Sequence, residues 1–322
     1  RTLRVHGPVA QLVRAPRLHR GCRRFDPGRA HMSLVLHDVV TAIESLYPRP
    51  TAMTWDRVGL VTGDPQQPVR SILLAVDPTR AVVEEAIALG ADLLVTHHPL
   101  LLRGIHSVAT TTAKGAVLTR AIVADLAIYC AHTNADVADP GVSDALAAAC
   151  GLVDSGPLSV EEGQPLGRVG DLAAPVSLRT FAARLAAALP PAPVGVRVSG
   201  DPDAPVCRVA VMGGSGDDRF ADVRAAGADV YVTADLRHHP AVEAREEADG
   251  GIPYLVDAGH WASEWLWLDS ARSRLLAALA ARDPEATVEV TISTLRTDPW
   301  DFLVSTSDPI DITAHPTDGG PL

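Results

Sequence analysis

Four cysteines in 322 residues, with no CxxC pair among them, leave neither a disulfide framework nor a cysteine zinc site to be read from this chain. Cys22, Cys130, Cys150 and Cys207 lie far apart, and the reducing cytosol is the expected compartment. Long apolar runs are missing too: no stretch of about 18 apolar residues is free of charge or proline, so no segment qualifies as a membrane-spanning helix. Basic charge is scarce over most of the chain. The formal net charge is −11, but residues 1–31 hold eight arginines against one acid, Asp26, which puts that segment at +7 and leaves −18 on residues 32–322. A body this acidic repels phosphate backbones, so it is not expected to bind nucleic acid.

The basic segment lacks what a leader needs. Val9 to Leu18 is broken by Arg14, Pro16 and Arg17, so there is no uninterrupted apolar core for secretion. An organellar presequence would be serine-rich and helical, whereas residues 1–31 contain no serine and carry Pro8, Pro16, Pro27 and three glycines. The run GPVAQLVRAPRLHRGCRRFDPGR looks like the translation of a transfer-RNA gene read from a start codon placed too far upstream. Residues 1–31 are therefore expected to be a non-native or disordered extension, with Met32 the natural first residue.

From Met32 on, strand-like apolar runs alternate with helical stretches, the pattern of an α/β fold. The expected first lobe, residues 32–155, has helices over 37–46, 80–89, 113–125 and 142–150 and strands over 71–77, 92–96 and 127–131. Residues 156–170 are polar and glycine-containing and read as the crossing into a second lobe, residues 156–300. That lobe is expected to hold helices 177–189, 218–226, 240–248 and a long 261–281, with strands 194–198, 208–212, 229–233, 253–257 and 287–291. Strands 71–77 and 92–96 are nearly continuous apolar runs, which fits burial on both faces. Residues 301–322 are expected to be a disordered tail, polar and proline-containing from Ser305.

Of the nine histidines beyond residue 31, several sit at strand ends beside carboxylates. His97 and His98 follow the strand that ends at Thr96, where Pro99 forces a turn that lets both rings converge. His132-Thr133-Asn134-Ala135-Asp136 follows the next strand and brings a carboxylate to a neighbouring strand end. In Asp257-Ala258-Gly259-His260-Trp261-Ala262-Ser263-Glu264, His260 and Glu264 stand at i and i+4 on a helix, with Cβ atoms about 5–6 Å apart. Taken alone, each has a plain structural reading: two polar residues in a turn, an Asx turn, a helix start. Together, His97, His98, Asp136, His260 and Glu264 supply three imidazoles and two carboxylates, a mixed set suited to borderline divalent metals. Five ligands exceed one tetrahedral site, and a bridging carboxylate between two metals about 3.5–4 Å apart fits the count better.

Six ordered stretches carry a resemblance. They are Trp55-Asp56-Arg57-Val58-Gly59-Leu60 with Gly63-Asp64-Pro65, THHPLLLRGIHSV (96–108), AHTNADVADPGVSDALAAACGL (131–152), VAVMGGSG (209–216), DVYVTADLRHH (229–239) and DAGHWASE (257–264). Over roughly Met32 to Trp300 they resemble the NGG-interacting-factor-three-like family, whose members go by the name GTP cyclohydrolase I type 2 homologues. The resemblance implies two α/β lobes, a dinuclear metal site in the cleft between them and a ring-shaped homohexamer. It places the metal ligands on His97, His98, Asp136, His260 and Glu264, with Glu264 the bridge. Asp235 and His239 match a TGDxxxH pattern and would line the cleft as acid/base or supporting groups, although Asp235 reads equally well as a helix cap. Two positions depart from the family: Arg57 stands where Asn is usual, and Ala234 where Gly is usual. There is no long insertion between the lobes, as in the family's short form.

The function expected from this is a metal-dependent hydrolase acting on a small molecule. Taken literally, the family name makes that molecule GTP, with attack at C8 of the purine, while phosphoester or nucleotide hydrolysis is chemically as compatible. Two divalent ions per subunit are expected, and the ligand set accepts zinc, manganese or iron. The competing expectation is a non-catalytic metal-binding or regulatory protein that forms a ring. The Gly213-Gly214-Ser215-Gly216 turn reads either as a backbone anion site or as a tight connection.

Overall fold

The computed structural model describes residues 34–304. The expected extension at 1–31 and the expected tail from 305 lie outside the described residues, while residues 301–304 lie within them and form no regular element. The chain opens with α1 (Leu36–Leu46), β1 (Gly59–Thr62), β2 (Ser71–Ala75), α2 (Arg80–Leu89) and β3 (Leu93–Thr96). Next come α3 (Ala113–Val123), β4 (Ala127–Cys130), the single turn α4 (Thr133–Asp136) and α5 (Val142–Cys150). Four strands follow in series, β5 (Leu152–Gly156), β6 (Ser159–Glu161), β7 (Gln164–Leu166) and β8 (Arg168–Ser177), and then α6 (Leu178–Ala188) and β9 (Arg197–Ser199). The remainder is β10 (Pro205–Ser215), α7 (Phe220–Ala225), β11 (Val230–Ala234), α8 (His238–Glu247), β12 (Tyr254–Asp257), α9 (His260–Trp265), α10 (Trp267–Arg282) and β13 (Glu289–Ile292).

These elements build a mixed α/β fold on two main sheets. The first has the order β1-β4-β3-β2-β13, parallel except for β1. The second has the order β5-β8-β10-β11-β12-β9, with β10, β11 and β12 parallel and the outer strands antiparallel. Parallel neighbours need a crossover, and the helices that supply it cover both sheet faces. In β2, Ile72 and Leu74 pack with Leu36, Val39 and Ile43 of α1 and Leu268 and Leu275 of α10. The intervening Leu73 and Ala75 face Val82 and Val83 of α2 and Val117 of α3. The second sheet repeats this. Val209, Val211 and Val232 meet Leu146, Phe181 and Leu185, whereas Ala210 and Tyr231 meet Phe220, Val223 and Ala244.

Local sequence sets the element ends. Thr79 caps α2, its hydroxyl accepting from the Val82 N–H, and Gly90 ends the helix at φ 71°, the left-handed C-cap expected of glycine. The buried Arg168 guanidinium on β8 donates to both Asp144 oxygens of α5 at 2.6 and 2.7 Å and to the Ala138 carbonyl at 2.9 Å. It thereby ties the second sheet to the helix that leads out of the first.

The structure corrects three expectations. Residues 156–170 are not an irregular crossing but strands, β8 pairing with β10 and with β5, and β6 with β7. The last strand does not belong to a second lobe at 156–300: β13 pairs with β2 in the first sheet. The physical reason is α10, whose Trp267, Leu268, Ala271, Leu275 and Leu279 bury themselves in the α1 core and carry the chain back. The long helix expected over 261–281 is α9 and α10 meeting at Leu266, which keeps helical angles. Among the described residues no helix is long and apolar enough to cross a membrane.

Candidate metal centre

Open parallel sheets place ligands at the carboxyl ends of their strands, and both sheets do so here. Asp77 follows β2, His97 and His98 follow β3, and His132 lies two residues beyond β4. From the second sheet, Asp235 follows β11, and His260 begins α9 three residues after β12. Gly259, at φ 77°, makes the turn from β12 into α9. One helical turn later, Glu264 lies among the histidines. Its Oε1 is 3.0 Å from His260 Nε2 and 3.5 Å from His97 Nε2, and its Oε2 is 3.0 Å from His98 Nε2. Asp136 Oδ1 stands 3.6 Å from His97 Nε2, and the Nε2 atoms of His98 and His260 are 3.2 Å apart. The five expected ligands, distant in sequence, thus converge.

Each histidine is oriented by an acceptor behind it. Carbonyl and carboxylate oxygens only accept, so Nδ1 must donate: His97 to the Ala131 carbonyl at 3.0 Å, His98 to Asp77 at 2.7 Å and His260 to Asp235 at 2.8 Å. This turns all three Nε2 atoms toward Glu264, the arrangement in which metal-binding histidines are held. His132 is held likewise, donating to Asp56 Oδ1 at 3.0 Å, while Asp56 Oδ2 accepts from the Thr133 N–H and hydroxyl. Burial alone would raise the Asp56 pKa, but the bonds from His132 and Thr133 reverse this and lower it.

The electrostatics of the cluster are those of charges pressed together. Burial disfavours protonated imidazoles, yet Glu264 and Asp77 push His98 up to about 10, and Glu264 and Asp235 push His260 up to about 11. His97 is also raised, by Glu264 and Asp136 against its burial. Glu264 is fully desolvated, but the three imidazoles hold its carboxyl well below the usual carboxylate range. Asp136 goes the other way, raised by burial. His97 Nε2 and Glu264 Oε2 are buried without a hydrogen bond, and such groups are costly unless something completes them. A nitrogen/oxygen set with orphaned lone pairs fits a divalent cation. Ligand atoms of His97, His98 and His132 lie within 4.8 Å of one another, and so do those of His98, His260 and Glu264.

Asp235 is not a helix cap: Arg237 holds that position at α8, and the Asp235 carboxylate instead accepts from His260. Its φ of 54° is uncommon for a residue other than glycine. The left-handed angle falls on Asp235 and not on Ala234, so the usual glycine is not needed at 234. The unusual Arg57 folds back, its guanidinium donating to the Asp56 carbonyl at 2.6 Å. His239 is a correction: it is exposed on α8, with its ring against His238, and does not line the cavities that reach the cluster. Of the two readings of Gly213 to Gly216, the anion site loses support, since the Gly213 and Gly214 N–H groups donate to Ser143 and Ser263 and are not free for an anion. The orienting roles of Asp56 and Asp77, and the place of His132, were not read from the sequence. Asp56 and His132 lie in quoted motifs and Asp77 ends the expected strand 71–77, but only the fold shows what they face.

Two cavities, of about 610 and 480 Å³, reach the cluster and share His98 and His260 in their walls. The Duf34/NIF3 (NGG1p interacting factor 3) family model matches residues 34–299, most of the chain. The chain belongs to the Duf34/NIF3 family. A GTP cyclohydrolase 1 type 2 homolog of Streptomyces coelicolor is 49% identical over 277 residues, covering 84% of this chain and 95% of the relative. One from Mycobacterium tuberculosis is 35% identical over 380 residues, covering 84% of this chain and 98% of its own length. The longer alignment for the same share of this chain means that the mycobacterial relative carries residues absent here, as the short form implies. Among solved structures, a Bacillus cereus protein related to NIF3 aligns with TM-score 0.75 at 28% identity over 84% of this chain and 99% of that one. A hypothetical Staphylococcus aureus protein gives TM-score 0.76 at 27% identity over 84% and 100%.

Proposed function

We propose that this Duf34/NIF3 protein is a metal-dependent hydrolase with a dinuclear centre held by His97, His98, Asp136, His260 and Glu264. The observation that carries the reading is Glu264, a buried carboxylate within 3.5 Å of three imidazoles, with one oxygen and His97 Nε2 left without hydrogen bonds. Two overlapping groups that share His98, one with His97 and His132 and one with His260 and Glu264, support two ions over one, and Asp136 joins the set through its 3.6 Å approach to His97. Divalent ions bound there would supply Lewis acidity to the hydrolysis of a small electrophilic substrate. The chain's own part is orientation: Asp77, Asp235 and the Ala131 carbonyl fix the rings so that no reorganisation is needed when the ligands engage. Asp235 acts on His260, and His239 has no part in the proposal. The name shared by the relatives suggests a nucleotide substrate.

We also propose the homohexamer and the cytosol as its setting. The exposed apolar run Trp300, Phe302, Leu303 and Val304 supports burial against another copy, and the free Cys130, Cys150 and Cys207 fit a reducing compartment. The test is to measure the metal content of the purified protein and of Glu264→Gln, then screen both against nucleotides and phosphoesters. About two ions per chain and turnover, both lost in the variant, are expected. Metal without turnover would favour a non-catalytic metal-binding role, and a variant as active as the parent would remove the dinuclear mechanism.

A further inference from the structure

Lys114 is the only lysine of the chain, whose other 27 cationic Lys and Arg residues are all arginine. It sits in the first turn of α3, where no acidic residue offsets it. Among the described residues it has neither ion pair nor hydrogen bond. Arginines near the two cavities differ: Arg219 pairs with Glu161 and Asp218, and Arg197 with Asp257 at 2.5 Å. Lys114 lines the larger cavity, together with Trp55, Leu102, His132, Asp136 and Glu264. Trp55 is 52% exposed there, an open aromatic face whose ring edge meets His132 at 5.9 Å between centroids. Both cavities carry four carboxylates, Asp136, Glu161, Asp218 and Glu264 in the larger and Asp77, Asp235, Asp257 and Asp298 in the smaller, but the Lys or Arg of the smaller, Arg197, is already paired, whereas the larger has Lys114.

We propose that the Trp55 and Lys114 wall of the larger cavity is the substrate-binding wall of the metal centre. The compound it fits is a flat ring bearing a phosphate or carboxylate group. The ring lies on Trp55 and Leu102, which offer apolar area next to the cluster. The anionic group meets the Lys114 ammonium, a compact charge with three donors that is not engaged elsewhere. The smaller cavity offers such a compound only the already paired Arg197, so it approaches the cluster from the side of Lys114, His132 and Asp136. This rests on the metal-centre reading above and adds the substrate class and the side of entry.

Calorimetric titration of the full-length protein of measured metal content, with guanosine 5′-monophosphate and with guanosine as probes, tests the proposal. Lys114→Met is expected to weaken the monophosphate about tenfold or more and to leave guanosine within about twofold, as loss of one charge-assisted bond implies. Lys114→Arg keeps the charge and should regain part of the loss, while Trp55→Ala should weaken both probes. Because there is one lysine, reductive methylation modifies Lys114 and the terminal amine alone, and the monophosphate should slow it at Lys114 where guanosine does not. A Lys114→Met protein that binds the monophosphate like the parent, equal losses for both probes, or no binding of the monophosphate by metal-loaded parent would each overturn the proposal. Protein that holds no metal yet binds the monophosphate through Lys114 would overturn the metal centre and leave the anion wall standing.

Discussion

Gly214 and Glu264 are fitted to each other: a Cβ on Gly214 would collide with Glu264 Oε1 and lie 3.3 Å from His260 Nε2. Gly214 also holds φ at 66°, which disfavours any side chain. The carboxylate at the centre of the cluster therefore occupies the space that this glycine leaves. Gly214→Ala is expected to displace Glu264 and to lose at least one metal equivalent, measured by elemental analysis, with a lower melting temperature. A variant that retains full metal content would show that Glu264 tolerates the shift and is not the fixed centre of the site.

Asp77 and Asp235 make a paired prediction. Each accepts from the Nδ1 of a different histidine, at 2.7 and 2.8 Å, and each belongs to a different sheet. Asp77→Asn and Asp235→Asn keep the shape but remove the charge that orients the ring, and changes of this kind cost roughly 10–100-fold in metal affinity. Competition with a chelator should find both variants weakened. Asp235→Asn leaving affinity untouched would reduce Asp235 to a bystander.

How far these relations could be read from sequence depends on distance along the chain. The strand ends at His97 and His98 and the i, i+4 spacing of His260 and Glu264 are local patterns, and the apolar runs of β2 and β3 announce buried strands. The strands β5 to β8 carry no such mark, because half-exposed, polar or very short strands do not produce an apolar run. The return of β13 to the first sheet is set by the packing of α10 on α1, which no local pattern encodes. Asp56 and His132 are 76 residues apart, so their bond appears only once β1 and β4 pair. His239 failed in the opposite direction: a motif position was carried over to a side chain that the helix turns outward.

The protonation of the cluster gives a pH prediction. With His98 raised to about 10 and His260 to about 11, against about 6.5 for an ordinary histidine, both are cationic in the empty protein at neutral pH. A histidine must be neutral to bind a metal, so binding releases these protons, and affinity rises with pH by about tenfold per unit for each proton displaced. Metal affinity should climb from pH 7 toward 10. The fold of the empty protein moves the other way. A raised histidine pKa contributes stability that is complete below the unfolded value and is lost as pH rises through the folded one. Chelated protein should therefore lose melting temperature progressively between about pH 6.5 and pH 11, the same range over which its affinity for metal rises. Affinity that does not change between pH 7 and 9 would mean that no proton is displaced.

Arg168 tests what holds the two sheets in place around the centre. Its side chain is 5% exposed and makes paired bonds to Asp144, with further donors to the Gly167 and Ala138 carbonyls. Removing one partner of a buried pair leaves the other charged and desolvated, which costs about 3–5 kcal/mol. Arg168→Ala should lower unfolding free energy by about that amount in urea. Arg168→Lys should recover little, since an ammonium cannot match the two-pronged contact. The double change Arg168→Leu with Asp144→Leu removes both charges and should restore part of the loss. If it instead loses as much as the two single changes summed, the pair acts independently and Arg168 stabilises through its carbonyl contacts alone.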